Sequence, residues 1–384
     1  MKFRLTAMIL TLMASLVMVP AAADAGTTNS DVCAKAAAHG VKCLAKVLRR
    51  AGGNARTSSP VGYGPSQLRS AYDATLTGGS LVAVVDAYHD SSAKAELDTY
   101  DTAFGLDSFP TCTSSGQTGC FAQVDQRGGT NFGSSDSGWA LETALDIETA
   151  HQMCPGCRLE LVEADSASFT NLLAAVDTAV ARGAKAVSMS WGAREFSSET
   201  GYDSHFNHSG VVFTSSAGDS GYGVSYPAAS RYVVAVGGTH LVASTTAWQS
   251  ETTWSGTGSG CSRYETKPSW QTDSGCARRT VNDVSADADP STGAAIYSAL
   301  ASGGAGWYTV GGTSLAAPIV AALAAGANQT TGVAPSLYSH AGSNLLHDIT
   351  SGRDGYCTKS YLCQARTGYD GPTGVGSPAS AAVW

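Results

Sequence analysis

Ser314 stands in the string Gly311-Gly312-Thr313-Ser314-Leu315-Ala316-Ala317-Pro318, ahead of an apolar helical run that ends near Ala325. A serine at the start of a helix has free backbone N–H groups and the positive end of the helix dipole beside it. Those groups stabilise the oxyanion that forms when a hydroxyl attacks a carbonyl. Glycines and alanines around the hydroxyl let a substrate come close. A plain helix cap is the alternative, but the full string is much rarer than a cap. A serine nucleophile also needs a base. Glu142 and Asp146 offer one, because residues four apart project from one face of a helix. On an exposed face the pair would be a solvated, mildly destabilising couple. Held close together, two carboxylates cannot both ionise easily, so one pKa rises toward a value useful to a base. A third acid lies in Ser215-Ser216-Ala217-Gly218-Asp219-Ser220-Gly221, just after an expected strand.

The serine string resembles the nucleophile motif of subtilisin-type peptidases and of their relatives the sedolisins, the serine-carboxyl peptidases. A subtilisin needs a His-Gly-Thr-His type segment. His39, His89, His151, His205, His208, His240, His340 and His347 all lack that context. The Glu-x-x-x-Asp pair, a strand about a dozen residues later and the downstream serine follow the sedolisin order. The resemblance implies an acid-acting secreted endopeptidase, with Ser314 as nucleophile, Glu142 as general base and Asp146 orienting it. It implies that Asp219, followed by Tyr226-Pro227-Ala228, is the side-chain donor to the oxyanion, a role open only to a protonated Asp. Ser190-Trp191-Gly192 resembles the segment that pairs with substrate backbone and walls the primary pocket. Asp86 ends the first strand and stands either as a third acid behind Glu142 and Asp146 or as a cap on a loop. Asp348-Ile349-Thr350 and Arg366-Thr367-Gly368-Tyr369-Asp370 resemble the family's calcium segments. One structural Ca2+ is expected, held by the Asp348 and Asp370 side chains and the carbonyls of Ile349, Arg366 and Gly368, a donor set suited to a hard cation. Two Asx turns are the alternative. A tripeptidyl-type exopeptidase and a catalytically inactive peptide- or surface-binding scaffold stand as rival functions.

These residues need a frame. Leu81–Val85, Leu159–Val162, Ala186–Met189, Val211–Phe213 and Tyr232–Val236 read as buried strands, with helical patterns at 138–153 and 168–182 between them. The alternation predicts an α/β fold of subtilisin-like, doubly wound type: a mostly parallel sheet with helices on both faces. Ligands in such folds sit at the carboxyl ends of the strands.

Composition sets the remaining bounds. The 384 residues carry a net charge of −8, and only 14% are charged. A mildly acidic chain argues against nucleic acid as the main partner, and low charge density limits self-repulsion in acid. Protein or peptide substrates, no membrane partner after export and a monomeric state are expected. Lys2 and Arg4, the apolar run Leu5–Val19 and Ala23-Asp24-Ala25 suggest a signal peptide over 1–25. A membrane anchor is the alternative, but the run is short of the ~20 residues that a span needs. Residues 26–61 suggest a short, helix-compatible leader, much shorter than a typical sedolisin prosegment, and 62–384 the peptidase domain. The ten cysteines suggest disulfides in an exported chain. Sequential pairing is the simplest scheme: 33/43, 112/120, 154/157, 261/276 and 357/363. A redox or zinc role for Cys154-Pro155-Gly156-Cys157 lacks its usual context.

Overall fold

The structure is a computed structural model and describes residues 27–34, 40–50, 52–76 and 78–384. The expected signal peptide therefore lies outside the described residues, as does His39. The chain opens with strands β1 (Thr28–Asp31), β2 (Lys42–Cys43) and β3 (Lys46–Arg49), then helix α1 (Pro65–Ala71). An alternating stretch follows: β4 (Leu81–Ala87), α2 (Ala93–Phe104), β5 (Cys120–Asp125), α3 (Ser137–Met153), β6 (Arg158–Ala164), α4 (Phe169–Ala181) and β7 (Ala186–Met189). After it come β8 (Trp191–Arg194), β9 (Val212–Ser216), β10 (Ser225–Tyr226), β11 (Val234–Ala243) and β12 (Trp248–Thr253). Then β13 (Gly260–Cys261), β14 (Thr280–Val281), β15 (Val284–Asp287), β16 (Ala294–Ser298) and β17 (Gly306–Gly311) lead into α5 (Thr313–Gly326).

The central sheet has the order β12-β11-β9-β7-β4-β6-β5, with β15 also on β11. Every pair is parallel except β11 with β12. The alternation of side chains along β4 divides the core. Val82 and Val84 pack with Leu141 and Leu145 of α3 and with the residues of α5. Ala83 and Val85 pack with Leu172 and Val176 of α4 on the other face. The chain leaves β4 toward β5 and β6 on one side and continues through β7, β9 and β11 on the other. This reversal opens a crevice at the strands' carboxyl ends, where Asp86, Ser190 and Asp219 all fall.

α4 begins as expected, with the Ser168 hydroxyl accepting from Asn171 N at 3.3 Å. α5 is buried along its whole length although it contains Pro318. Proline lacks the N–H that would bond the Ser314 carbonyl four residues back. The Ser190 hydroxyl takes that place, donating to Ser314 O at 3.3 Å. All ten cysteines pair sequentially. Cys154 and Cys157 are buried at the end of α3, where a thiol-exchange partner has no access.

The stretch 26–61 departs from its helical expectation. Where described it is extended and hydrogen-bonded into the body: β3 pairs with β17, β1 pairs with β3, and β2 pairs with β8. Runs of two to four residues carry no periodicity of their own, and partners distant in sequence make them strands.

Candidate active site

α3 starts at Asp136, whose side chain accepts from Gly138 N and Trp139 N at 2.9 and 3.0 Å. From Trp139 to Met153 every residue is buried, so Glu142 and Asp146 lie inside the protein. Both side chains are fully enclosed, and their four oxygens have no hydrogen-bond partner among the described residues. Burial pushes Glu142 well above the usual carboxyl range, and the neighbouring Asp146, Asp86 and Asp219 push it further, while the Ser314 hydroxyl opposes them. Burial likewise drives Asp146 well up, reinforced by Asp86 and opposed by the Ser190 hydroxyl. Asp86 is itself pushed up to about 8, chiefly by burial, with Thr143 working against it and Glu163 and Asp90 with it. Asp86 is thus an interior acid within electrostatic reach of Asp146, with neither oxygen capping a loop. The three acids form a cluster that runs toward Ser314.

Ser314 is the second residue of α5. Gly312, with φ of +95°, turns the chain from β17 into this helix. A Cβ there would lie 2.4 Å from Leu44 O and 2.5 Å from Asp219 Oδ2, so only glycine fits. The first N–H groups of a helix have no partner within it, and that of Ser314 donates to Leu44 O at 3.1 Å. Ser314 Oγ donates to Ser190 O at 3.3 Å, its one hydrogen-bond partner among the described residues. His151 shares α3 with Glu142 but pairs instead with Asp101 at 2.8 Å.

Asp219 follows β9. Its Oδ1 accepts from Thr313 N and Thr313 Oγ1, both at 2.8 Å, while Oδ2 is buried without a partner. Burial raises its pKa to about 6, held from rising further by the two Thr313 bonds and by Lys46 and Lys42. β8 continues from Ser190, and Trp191 Nε1 donates to Val85 O at 2.8 Å, which ties it to the end of β4. The crevice thus gathers Ser314, Glu142, Asp146, Asp219, Asp86 and Ser190-Trp191-Gly192. The sequence did not point to the part of Thr313 as anchor for Asp219, nor to the presence of Leu44. The first was within the serine string, but its hydroxyl direction depends on the turn at Gly312.

Asp348 and Asp370 meet far from Ser314 in sequence. Asp370 is buried, which raises its pKa to about 7; N–H groups of Arg366 and Thr373 and the Thr373 hydroxyl hold it down, and Asp348 pushes it up. Gly368 N donates to both oxygens of Asp348, at 3.2 and 3.0 Å. The carbonyls of Ile349, Arg366 and Gly368 accept no hydrogen bond among the described residues. Two adjacent carboxylates beside three free carbonyls fit a hard cation. No cluster of three or more His, Cys, Asp or Glu is arranged to hold a metal among the described residues, so a cation at this place would have to be held in part by backbone oxygen.

The chain is similar to known proteins in sequence and in fold. The Subtilase family matches residues 128–340. Kumamolisin of Bacillus sp. (strain MN-32) is 33% identical, over 87% of this chain and 66% of its own length. Sedolisin of Pseudomonas sp. (strain 101) is 31% identical, over 82% of this chain and 60% of its own. The chain therefore spans less than two thirds of either relative. Among solved structures, Pseudomonas sedolisin, a serine-carboxyl proteinase complexed with two molecules of pseudo-iodotyrostatin, superposes with a TM-score of 0.72 at 31% identity. That match covers 85% of this chain and 97% of the sedolisin chain.

The raised acids set a direction for stability against pH. A carboxyl whose pKa is higher in the folded protein binds more protons folded than unfolded. Its contribution is complete below about 4 and is lost as pH rises through the folded value. Asp219 rises from 3.8 to about 6 and Asp86 from 3.8 to about 8, so the loss should run from about pH 4 to 8. Asp219 alone is worth on the order of 3 kcal/mol. The urea midpoint of a Ser314→Ala variant in chelator should therefore fall between pH 4 and pH 8. A midpoint that rises over this interval would contradict the protonated acid cluster.

Proposed function

We propose, for a chain that belongs to the sedolisin family of subtilisin-like serine peptidases, that it hydrolyses peptide bonds in proteins at acid pH, with Ser314, Glu142, Asp146 and Asp219 as its catalytic groups. The observation that carries this reading is the space left open at Gly312: Ser314 N donates to Leu44 O, and that oxygen and Asp219 Oδ2 each lie within 2.5 Å of the position a Cβ of residue 312 would take. Ser314 Oγ attacks the substrate carbonyl carbon and gives its proton to Glu142. The oxyanion takes hydrogen bonds from Ser314 N–H and from the protonated Asp219 carboxyl. Glu142 passes the proton to the leaving amine, and a water then opens the ester by the same route. Asp146, with Asp86 behind it, shares the proton of Glu142 and keeps its pKa high. The backbone from Ser190 to Gly192 receives the substrate strand. Endoproteolysis is the leading mode. Export through residues 1–25 suits five disulfides, which persist in oxidising compartments.

Ser314→Ala should lower turnover on the order of 10⁶-fold with an unchanged circular dichroism spectrum; turnover near wild type would refute the nucleophile. Asp219→Asn tests the oxyanion role, because Asn donates at every pH whereas Asp donates only when protonated. Losing one such donor costs roughly 10²–10³ in rate. As wild type loses its donor through a pKa of about 6, the mutant-to-wild-type ratio of kcat/KM should climb from pH 4 to pH 7. A flat ratio would remove the main support for Asp219.

The same reading gives the Asp348–Asp370 site one calcium ion, held with the carbonyls of Ile349, Arg366 and Gly368. Its role is to neutralise the two carboxylates and tie the segments together. A hundredfold excess of calcium over Kd should raise Tm by roughly 3–4 °C, and Asp370→Ala should abolish that calcium dependence. Equal Tm values with calcium and with chelator in wild type would leave only a pair of turns.

A further inference from the structure

Asp219 sits on a turn that is held on two sides. In front, Thr313 N and Oγ1 donate to its Oδ1, and Thr313 Oγ1 accepts from Gly218 N at 3.2 Å. Behind it runs the segment 256–258. Gly258 N donates to Gly218 O at 2.7 Å, and Gly221 N donates to Gly256 O at 2.9 Å. The contact is backbone against backbone, since a Cβ at Gly258 would lie 2.2 Å from Ala217 O. Residues 256–258 belong to no helix or strand, so their position depends on what lies behind them.

Asn282 lies there, wholly buried between β14 and β15. Its Nδ2 stands 2.9 Å from Gly258 O, 2.9 Å from Gly371 O and 3.0 Å from Pro372 O. Three carbonyls around one nitrogen fix the direction of the amide, whose two hydrogens are shared among them. Oδ1 has no partner among the described residues. A buried unpaired oxygen is costly, and only the donor end of this side chain offsets it. The anchor is itself held. Asn282 N donates to Gly371 O at 2.9 Å, and Asn282 O accepts from the Tyr369 hydroxyl at 3.0 Å. The next residue, Asp283, is paired with the buried Arg279, and its N donates to Ala235 O of β11 at 3.0 Å. Room for the amide comes from Gly237, where a Cβ would lie 2.7 Å from Asn282 Nδ2.

We propose that Asn282 is a positioning residue for Asp219: its amide holds Gly258, Gly258 holds Gly218, and the Asp219 carboxyl is thereby kept against Thr313 with Oδ2 free for the oxyanion. The brace stands on its own contacts; only its effect on rate rests on the role given to Asp219 above. Rate is sensitive to such placement, a shift of about 1 Å costing on the order of 10²-fold. Without the amide, Gly258 O would keep only Thr257 Oγ1 among the described residues, at 3.3 Å, and that hydroxyl already accepts from Gly238 N at 2.8 Å. The same nitrogen reaches the two residues that follow Asp370. The turn under Asp219 and the end of the Asp348–Asp370 site are therefore tied to one side chain.

Hydrogen exchange in a Ser314→Ala background tests the brace without activity. Asn282→Leu keeps the bulk of the side chain and removes the donor. With it added, the amides of Gly258 and Thr313 should exchange at least about tenfold faster relative to that of Val84 in the central sheet. An unchanged ratio would overturn the brace. With Ser314 intact, at pH 4 and on a quenched peptide, Asn282→Leu should lower kcat about 10- to 100-fold and leave KM within about threefold. In an Asp219→Ala background the same substitution should cost less than about threefold, because the group it positions is gone. Equal losses in the two backgrounds would overturn the positioning role. Asn282→Asp keeps the outline of the side chain and, protonated by burial, one donor. Its kcat should lie between those of wild type and Asn282→Leu, and it carries the same comparisons if the leucine variant fails to fold. A value no higher than that of a folded Asn282→Leu would overturn the part given to the donor. An Asp219→Ala variant as active as wild type, or no turnover in any protein, would count against the catalytic reading, while the exchange result would still decide the brace.

Discussion

Unneutralised carboxyl groups buried behind Ser314 are the constraint around which this molecule is organised. Glu142, Asp146 and Asp86 are fully enclosed, with no cation paired to them among the described residues. An isolated buried carboxylate is costly, and the group takes up a proton instead. Three such groups in one cluster cannot all be ionised, so the cluster holds protons at pH values where free carboxyls have lost them. The same burial makes the fold more stable in acid than at neutral pH. The pattern extends beyond the crevice: burial raises Glu96 to about 9 and Glu265 to about 8.

The start of α5 meets this cluster through small, specific adjustments. Pro318 frees the Ser314 carbonyl, and the Ser190 hydroxyl takes it up. Ser314 Oγ in turn donates to Ser190 O, so Ser314 and Ser190 are locked by two reciprocal bonds. Gly312 permits the turn that puts Thr313 on one oxygen of Asp219 and leaves the other facing the crevice. A side chain at 312 would fill the space between Leu44 O and Asp219 Oδ2. The placement of Ser314, Asp219 and Ser190 therefore depends on one helix terminus and on the ends of neighbouring parallel strands.

The amino-terminal stretch lies in the crevice beside Ser314. Its backbone pairs with the strand after β7, and its carbonyl points at the N–H of Ser314. Lys42 and Lys46 also bring positive charge near Asp219 and hold its pKa lower than burial alone would set it. Departure of the stretch would change both the access to Ser314 and the charge around Asp219.

The sequence by itself determined the chemistry-bearing positions that depend on local pattern. The serine string, the four-residue spacing of Glu142 and Asp146, the strand at 186–189 and the α4 cap at Ser168 are all set by neighbours in the chain. Five disulfides between cysteines close in sequence belong with them, since short loops bring such pairs together readily. Tertiary structure alone decided which way these groups face. The same Glu-x-x-x-Asp pair would be a solvated stripe on a surface helix; it becomes an acid cluster because α5 and the sheet cover α3. Asp86 could cap a loop or enter the interior, and the crevice beside β7 sent it inward. The strands β2 and β3 carry no signal in the sequence, because their partners β8 and β17 lie far along the chain. A ladder between segments so far apart is fixed only when the whole fold brings its edges together.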